Sequence, residues 1–141
     1  MILTYLGSTE VWVAVTVGLW VFGKRREAVL LALGLAISSL IIIPLKTFIP
    51  RARPYLLIQE AKTLSLEGGY SFPSGHSKNV FLAASTLKSK RLTLNIGLYV
   101  LAFAVAYSRI YVGVHWATDV IVGGLIGLAV GHLVLKAFRK A

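Results

Sequence analysis

Apolar residues fall in five runs, broken by short polar stretches. The first covers about 9–22 and extends towards Ile2, with Ser8 or Thr9 placed to cap it and Glu10 in its first turn. The second covers about 28–49 and carries Pro44, which predicts a kink near its far end, with Lys46 just beyond. A third begins at Pro73-Ser74-Gly75-His76 and ends near Lys88, a fourth covers about 92–108, and a fifth about 116–138. A span needs about 20 predominantly apolar residues at ~1.5 Å each. The pattern therefore predicts an all-α, polytopic membrane helix bundle of about five transmembrane helices, with residues 1–141 as one membrane-embedded domain.

Composition strengthens that reading. Of 141 residues, 57% are hydrophobic and 14% charged, more apolar surface than a soluble core of this size can hide. A net charge of +10 raises the question of nucleic acid, but the 15 Lys and Arg residues sit in clusters between apolar runs, with no basic stripe interleaved with aromatics. We therefore expect no nucleic-acid partner. Lys24, Arg25 and Arg26, then Lys88, Lys90 and Arg91, then Lys136, Arg139 and Lys140 all fall on one side of the predicted bundle. By the positive-inside rule that side is cytoplasmic, so the N-terminus is expected outside and the C-terminus inside, in the cell membrane. The N-terminus lacks the basic region of a secretory signal, and the first run is expected to be retained. There is no cysteine, which excludes disulfides and thiolate chemistry. Gly123, Gly127 and Gly131 form a row along which another helix can approach closely. Trp12, Trp20, Trp116 and Tyr5, Tyr99, Tyr107 and Tyr111 read as interface markers, Tyr107 and Tyr111 also standing close enough to Arg109 to shape a site there. His132 belongs to no motif and reads as structural.

The ionisable residues left over are the informative ones. A charged side chain at the bilayer centre costs roughly 2.5–3.5 kcal/mol, so such groups face a protein interior or a watery cavity and mark function. Under the predicted topology three separated stretches meet at the outer face: Lys46 with Arg53-Pro54, Pro73-Ser74-Gly75-His76, and Ser108-Arg109 followed by His115 and Asp119. They offer three fixed cations, two imidazoles, one carboxylate and a helix start. Guanidinium forks, an ammonium and free N–H groups at a helix N-terminus together suit a phosphate. His115 and Asp119 lie four apart, so the carboxylate can orient the imidazole and leave its other nitrogen free to attack. His76 is placed to protonate a leaving oxygen. Two histidines with separate roles point to covalent phosphoryl transfer followed by hydrolysis.

In these positions, Lys46 and, after six intervening residues, Arg53-Pro54, Pro73-Ser74-Gly75-His76, and Ser108-Arg109 with His115 and Asp119, the chain resembles the type 2 phosphatidic acid phosphatase superfamily, whose motif the vanadium haloperoxidases share. The resemblance covers about residues 40–125. It implies that His115 forms a phosphohistidine with Asp119 as its partner, that His76 is the general acid, and that Lys46, Arg53, Ser74, Gly75 and Arg109 bind the phosphate. It further implies a metal-free reaction without cofactor on a lipid phosphate or diphosphate within membrane lipid, with the site at the extracytoplasmic face. Two departures stand out. Many relatives have six spans where this pattern predicts five, the missing one lying at the N-terminal end. Lys78 stands where many relatives have a small residue, and is expected either to meet the second phosphate of a diphosphate or to face a loop carboxylate such as Glu60 or Glu67.

The motif reads only the phosphoryl group and leaves the lipid and the oligomeric state open. Arg51, Lys62 and Lys78 add cations, which tilts the expectation to a polyprenyl diphosphate of the undecaprenyl or dolichyl type, with phosphatidic acid or phosphatidylglycerophosphate as the alternative. An intramembrane serine hydrolase built on Ser74, His115 and Asp119, or an anion channel, are the readings from other classes. The first leaves three cations and His76 unused and lacks a nucleophile elbow. The second makes His115 and Asp119 superfluous.

Overall fold

The computed structural model describes residues 2–58 and 67–139. Among them all regular structure is helical: α1 (Ile2–Tyr5), α2 (Thr9–Val21), α3 (Arg25–Phe48), α4 (Pro54–Leu57), α5 (Gly75–Thr86), α6 (Leu92–Tyr111) and α7 (Ala117–Ala137). Five of these fall on the five predicted runs. Local chemistry sets their starts. The Ser8 hydroxyl accepts the Val11 N–H at 3.3 Å ahead of α2, and Ser74 caps α5 by accepting the Ser77 N–H at 3.4 Å. The helical assignment of α3 runs unbroken through Pro44 to Phe48.

α5 is the hub. Every residue from Ser77 to Thr86 is buried, because α2, α3, α6 and α7 all pack around it. Its 12 residues reach only about 18 Å at 1.5 Å per residue. Enclosure by protein rather than lipid is what lets so short and polar a helix sit in the middle. Among the described residues three helices are long and apolar enough to cross a membrane, namely α3, α6 and α7, whereas α2 is apolar but only 13 residues long.

The glycine row faces α5. A Cβ at Gly123 would strike the Ser74 carbonyl, one at Gly127 the Lys78 carbonyl, and one at Gly131 the Ser85 hydroxyl. The two backbones thus meet directly, as the small-residue spacing predicts. This contact also sets register at the top of the bundle, where the Ser74 N–H donates to the Asp119 carbonyl at 2.9 Å.

Leu30, Leu31, Leu82, Ala83, Ala102 and Val105 form the core, and Trp12 is buried among them, not placed at an interface as its sequence context suggested. The indole has its apolar body in the core, which outweighs leaving its N–H without a partner among the described residues. Trp20 remains exposed, with the Arg25 guanidinium 5.6 Å above its ring. Outward faces carry Phe22, Leu40, Phe103, Tyr107 and Leu125, all exposed, an apolar exterior that suits a bilayer. Apart from Lys78, the charged side chains described lie towards the two ends. The C-terminal ends of α3 and α6 meet the N-terminal ends of α5 and α7 at one end, and the remaining basic clusters lie at the other.

Candidate active site

The segment between α3 and α5 wraps over that first end and supplies backbone oxygens. Arg53, 3% exposed, donates from Nε to Gly69 O at 3.1 Å, from Nη1 to Val114 O at 3.0 Å and from Nη2 to Gly68 O at 3.0 Å. Gly69 sits at φ 71°, in the left-handed region that glycine adopts without strain, and this bend turns consecutive carbonyls towards the guanidinium. Lys46, near the end of α3, donates to Tyr70 O at 2.9 Å from the same segment. It lies within range of the charges of Arg53, Arg109, Glu67 and Asp119.

Arg109 enters from the last turn of α6 and is 1% exposed. Its Nη1 donates to the Thr4 hydroxyl of α1 and its Nη2 to Glu67 Oε1. The other oxygen of Glu67, Oε2, accepts from Arg53 Nη1 at 3.2 Å. One carboxylate is therefore held between the two motif arginines. Burial would raise the Glu67 carboxyl, but its bond to Arg109 and the nearby charges of Arg109, His76 and Arg53 hold it below the usual carboxylate range.

His115 lies in the turn between α6 and α7, its N–H donating to Arg109 O at 3.3 Å, so that the nucleophile candidate and Arg109 share one corner. The ring is 2% exposed, with Nδ1 3.7 Å from Asp119 Oδ2. This is ion-pair range, longer than a hydrogen bond, and Nδ1 has no hydrogen-bond partner among the described residues. Burial pushes the imidazole below its ordinary value of 6.5. The Asp119 carboxylate opposes this, and the charges of Arg53, Arg109 and Lys46 add to it. His115 is accordingly neutral at pH 7, the form a nucleophile requires.

Asp119 has other engagements. Oδ2 accepts the Trp116 N–H at 2.9 Å, the reach back from the first turn of α7 to its cap, and Oδ1 accepts from Arg51 Nη1 at 2.7 Å. Arg51 also donates to the Thr118 hydroxyl at 2.5 Å and lies over the Trp116 ring at 5.1 Å. Arg51 thus braces the carboxylate and is not the free additional cation that its sequence position suggested.

His76 opens α5, and its ring rests on Gly7, where a Cβ would come within 2.8 Å of His76 Cβ and Cδ2. It feels the charges of Arg109, Glu67, His115 and Glu10. Asn79, one turn on, donates to Gly7 O at 3.0 Å and Thr9 Oγ1 at 3.2 Å, fastening the turn between α1 and α2 against the site. Ser74 and Gly75 supply the helix start. The Ser74 hydroxyl also accepts from Ser77 Oγ at 3.1 Å, and among the described residues it has no histidine partner of the kind a serine nucleophile needs.

The structure thus brings Lys46, Arg53, Ser74, Gly75, His76, Arg109, His115 and Asp119 to one end of the bundle. Lys78 is not among them. It is 3% exposed and donates to Ser39 Oγ of α3 at 3.1 Å, about 10 Å down α3 from Lys46 at 1.5 Å per residue. Its position in α5 turns it towards α3, so it meets neither the phosphate end nor Glu67; Glu60 and Lys62 lie outside the described residues. Sequence reasoning did not find Thr4, Gly7 or Asn79, nor the roles of Glu67 and Arg51. Only the two charges carried a signal, Arg51 as an added cation and Glu67 as a loop carboxylate for Lys78 to face.

Sequence and fold are similar to those of known proteins. The chain is 36% identical over 138 residues to a Sulfolobus acidocaldarius protein named undecaprenyl-diphosphatase, covering 93% of this chain and 65% of that protein's length. It superposes on the crystal structure of Aquifex aeolicus LpxE with a TM-score of 0.88 at 34% identity, covering 95% of this chain and 81% of the other. It also superposes on a transmembrane PAP2-type phosphatidylglycerolphosphate phosphatase from Bacillus subtilis, with a TM-score of 0.78 at 31% identity, covering 98% and 74%. The family model of the PAP2 superfamily matches residues 27–141, and the chain belongs to that superfamily.

Proposed function

We propose that this chain is an integral-membrane lipid phosphatase that works through a phosphohistidine without a metal. The observation that carries the reading is the Glu67 carboxylate between Arg53 and Arg109. Two nearly inaccessible guanidinium groups converge on one anion with two oxygens, and a substrate phosphoryl group that displaces Glu67 would find the same donors.

The reaction follows from the residues around that seat. Lys46, Arg53, Arg109 and the N–H groups at the start of α5 hold the non-bridging oxygens and offset the charge of the transition state. The imidazole of His115 attacks phosphorus with the nitrogen that faces away from Asp119. An N–P bond forms as the bond to the leaving oxygen breaks, and His76 gives that oxygen a proton. Water then attacks the phosphohistidine, His76 takes a proton from it, the N–P bond breaks, and inorganic phosphate departs. Asp119 stabilises the positive imidazole on the way.

Five helices as spans, with the N-terminus and this site outside and the basic clusters inside, remain the topology that the charge pattern favours. For the substrate we favour a polyprenyl diphosphate, supported by the similarity to a named undecaprenyl-diphosphatase. Arg51 and Lys78 no longer contribute to that preference. Phosphatidylglycerophosphate is the second reading, favoured by the similarity to the Bacillus subtilis phosphatase. The test is phosphate release by purified protein across undecaprenyl diphosphate, phosphatidylglycerophosphate and phosphatidic acid, with a chelator present. Fastest release from the diphosphate with chelator and block by vanadate are expected. Activity lost to chelator overturns the metal-free mechanism, and block by a fluorophosphonate with no effect of vanadate overturns the phosphatase.

A further inference from the structure

The opposite end of the bundle holds a second concentration of charge that the proposed reaction does not use. Arg26 at the start of α3, Lys88 just beyond α5, and His132, Lys136 and Arg139 at the end of α7 line one cavity of about 510 Å³, with Leu135 as an apolar wall. Six helical turns of α3 separate Arg26 from Lys46, about 30 Å at 1.5 Å per residue. No carboxylate side chain is among the described lining residues. The ion pairs among the described residues all involve Glu67 or Asp119, at the catalytic end.

A topology signal needs only positive charge on one side of the membrane. It does not require four cations from three chain segments to turn into one concavity without an acid. Such a concavity fits a ligand with more than one negative charge, held by guanidinium and ammonium groups and an imidazole donor. Its location selects the source of that ligand. The cavity is set at the ends of α3 and α7, helices long and apolar enough to cross a membrane, with exposed Leu133 and Phe138 beside it and the Trp20–Arg25 pair at the same end. Tryptophan stacked with arginine is typical of the headgroup level. Basic pockets between helix ends at that level bind lipid phosphates.

We propose that the cavity lined by Arg26, Lys88, His132, Lys136 and Arg139 binds the headgroup of an anionic phospholipid, with a preference for one bearing two phosphates, in the leaflet opposite the catalytic histidines. The lipid joins the ends of α3, α5 and α7, which the like charges of those ends otherwise push apart. His132, first read as structural, becomes one of its ligands.

Binding is read independently of phosphatase activity. The full chain in nonionic detergent is examined by native mass spectrometry and thermal melting with cardiolipin, phosphatidylglycerol, phosphatidylcholine or inorganic pyrophosphate. One cardiolipin is expected to stay bound and raise the melting temperature, phosphatidylglycerol to do so more weakly, and phosphatidylcholine not at all; retention should fall as salt rises. Lys88→Gln with Lys136→Gln should weaken cardiolipin binding by about tenfold or more, since each basic group near the surface contributes its own share of attraction to anionic lipid. Lipid-phosphate turnover in detergent should change less than about twofold, because these residues are remote from the site. Should the double variant fold poorly, Arg139→Gln alone, at an exposed position, gives a smaller loss in the same direction. Equal retention of phosphatidylcholine, or unchanged cardiolipin affinity in the variants, overturns the proposal. A stabilisation by pyrophosphate that disappears in the double variant assigns the cavity to a soluble anion and overturns the lipid assignment. A chain that binds cardiolipin in this way but releases no phosphate loses the proposed function and keeps this site.

Discussion

The two ends of the bundle use the same kinds of cation in opposite ways. At the proposed catalytic end Arg53 and Arg109 are almost inaccessible, and every cation in the motif is held by a protein oxygen: Lys46 by Tyr70 O, Arg53 by five loop and turn groups, Arg109 by Thr4 and Glu67. At the other end Arg26, Lys88, Lys136 and Arg139 are exposed around a cavity whose described lining includes no acidic side chain. The first arrangement is preorganised, since the donors are already aimed and a phosphoryl group has only to replace Glu67. The second gains order from what binds it. Positive charge alone does not distinguish a catalytic pocket from a docking cavity; burial and the presence of an internal anion do.

Substitutions at the two ends should therefore differ in size and in kind. The largest effect is expected for His115→Ala, which removes the nitrogen proposed to attack and should lower phosphate release on the order of 10⁴-fold or more in a single-turnover assay, with the fold intact by circular dichroism. Next comes Arg109→Ala, expected to lower kcat by about 10²–10³-fold, the range for removing one donor to a developing charge. Near-normal turnover in either variant would remove the distinction between the ends. Gly127→Ala touches neither site but forces a Cβ into the Lys78 carbonyl; the resulting overpacking should cost about 1–3 kcal/mol, seen as a lower melting temperature.

A finer test uses pH. In the proposed reaction His115 attacks only when neutral, and its pKa is held below 6.5 by burial, so kcat/KM should stay level as pH falls through 6.5 and decline only below the lowered value. Asp119 is the group that opposes this shift. Asp119→Asn should therefore move the acid limb to still lower pH as well as reducing the rate, and a limb that moves upward would contradict the assigned pairing. The smallest effect on catalysis is expected at the far end, where Lys136→Gln should leave kcat/KM within about twofold while weakening retention of cardiolipin.

The sequence by itself determined the helical class, the five runs, a cap at the start of α2, the small-residue seam and the eight motif residues that the structure gathers at one end. Each of these rests on a signal carried within a few positions, such as an apolar run, a cap or a spacing of four, or on a motif whose members occupy definite places along the chain. Tertiary structure alone decided where side chains met across long separations. Glu67 sits in a stretch without periodicity, and its place between Arg53 and Arg109 joins residues 14 and 42 positions away. Lys78 lies two residues beyond a motif, yet the rotation of α5 about its axis sends it to Ser39, and the same packing buries Trp12 and sets Arg51 on Asp119. The basic clusters were plain as charge, but their closure around one cavity depends on how the ends of α3, α5 and α7 converge. Periodicity records which face of a helix is apolar. It does not record the direction of a polar side chain, which depends on helix rotation and on partners distant in sequence.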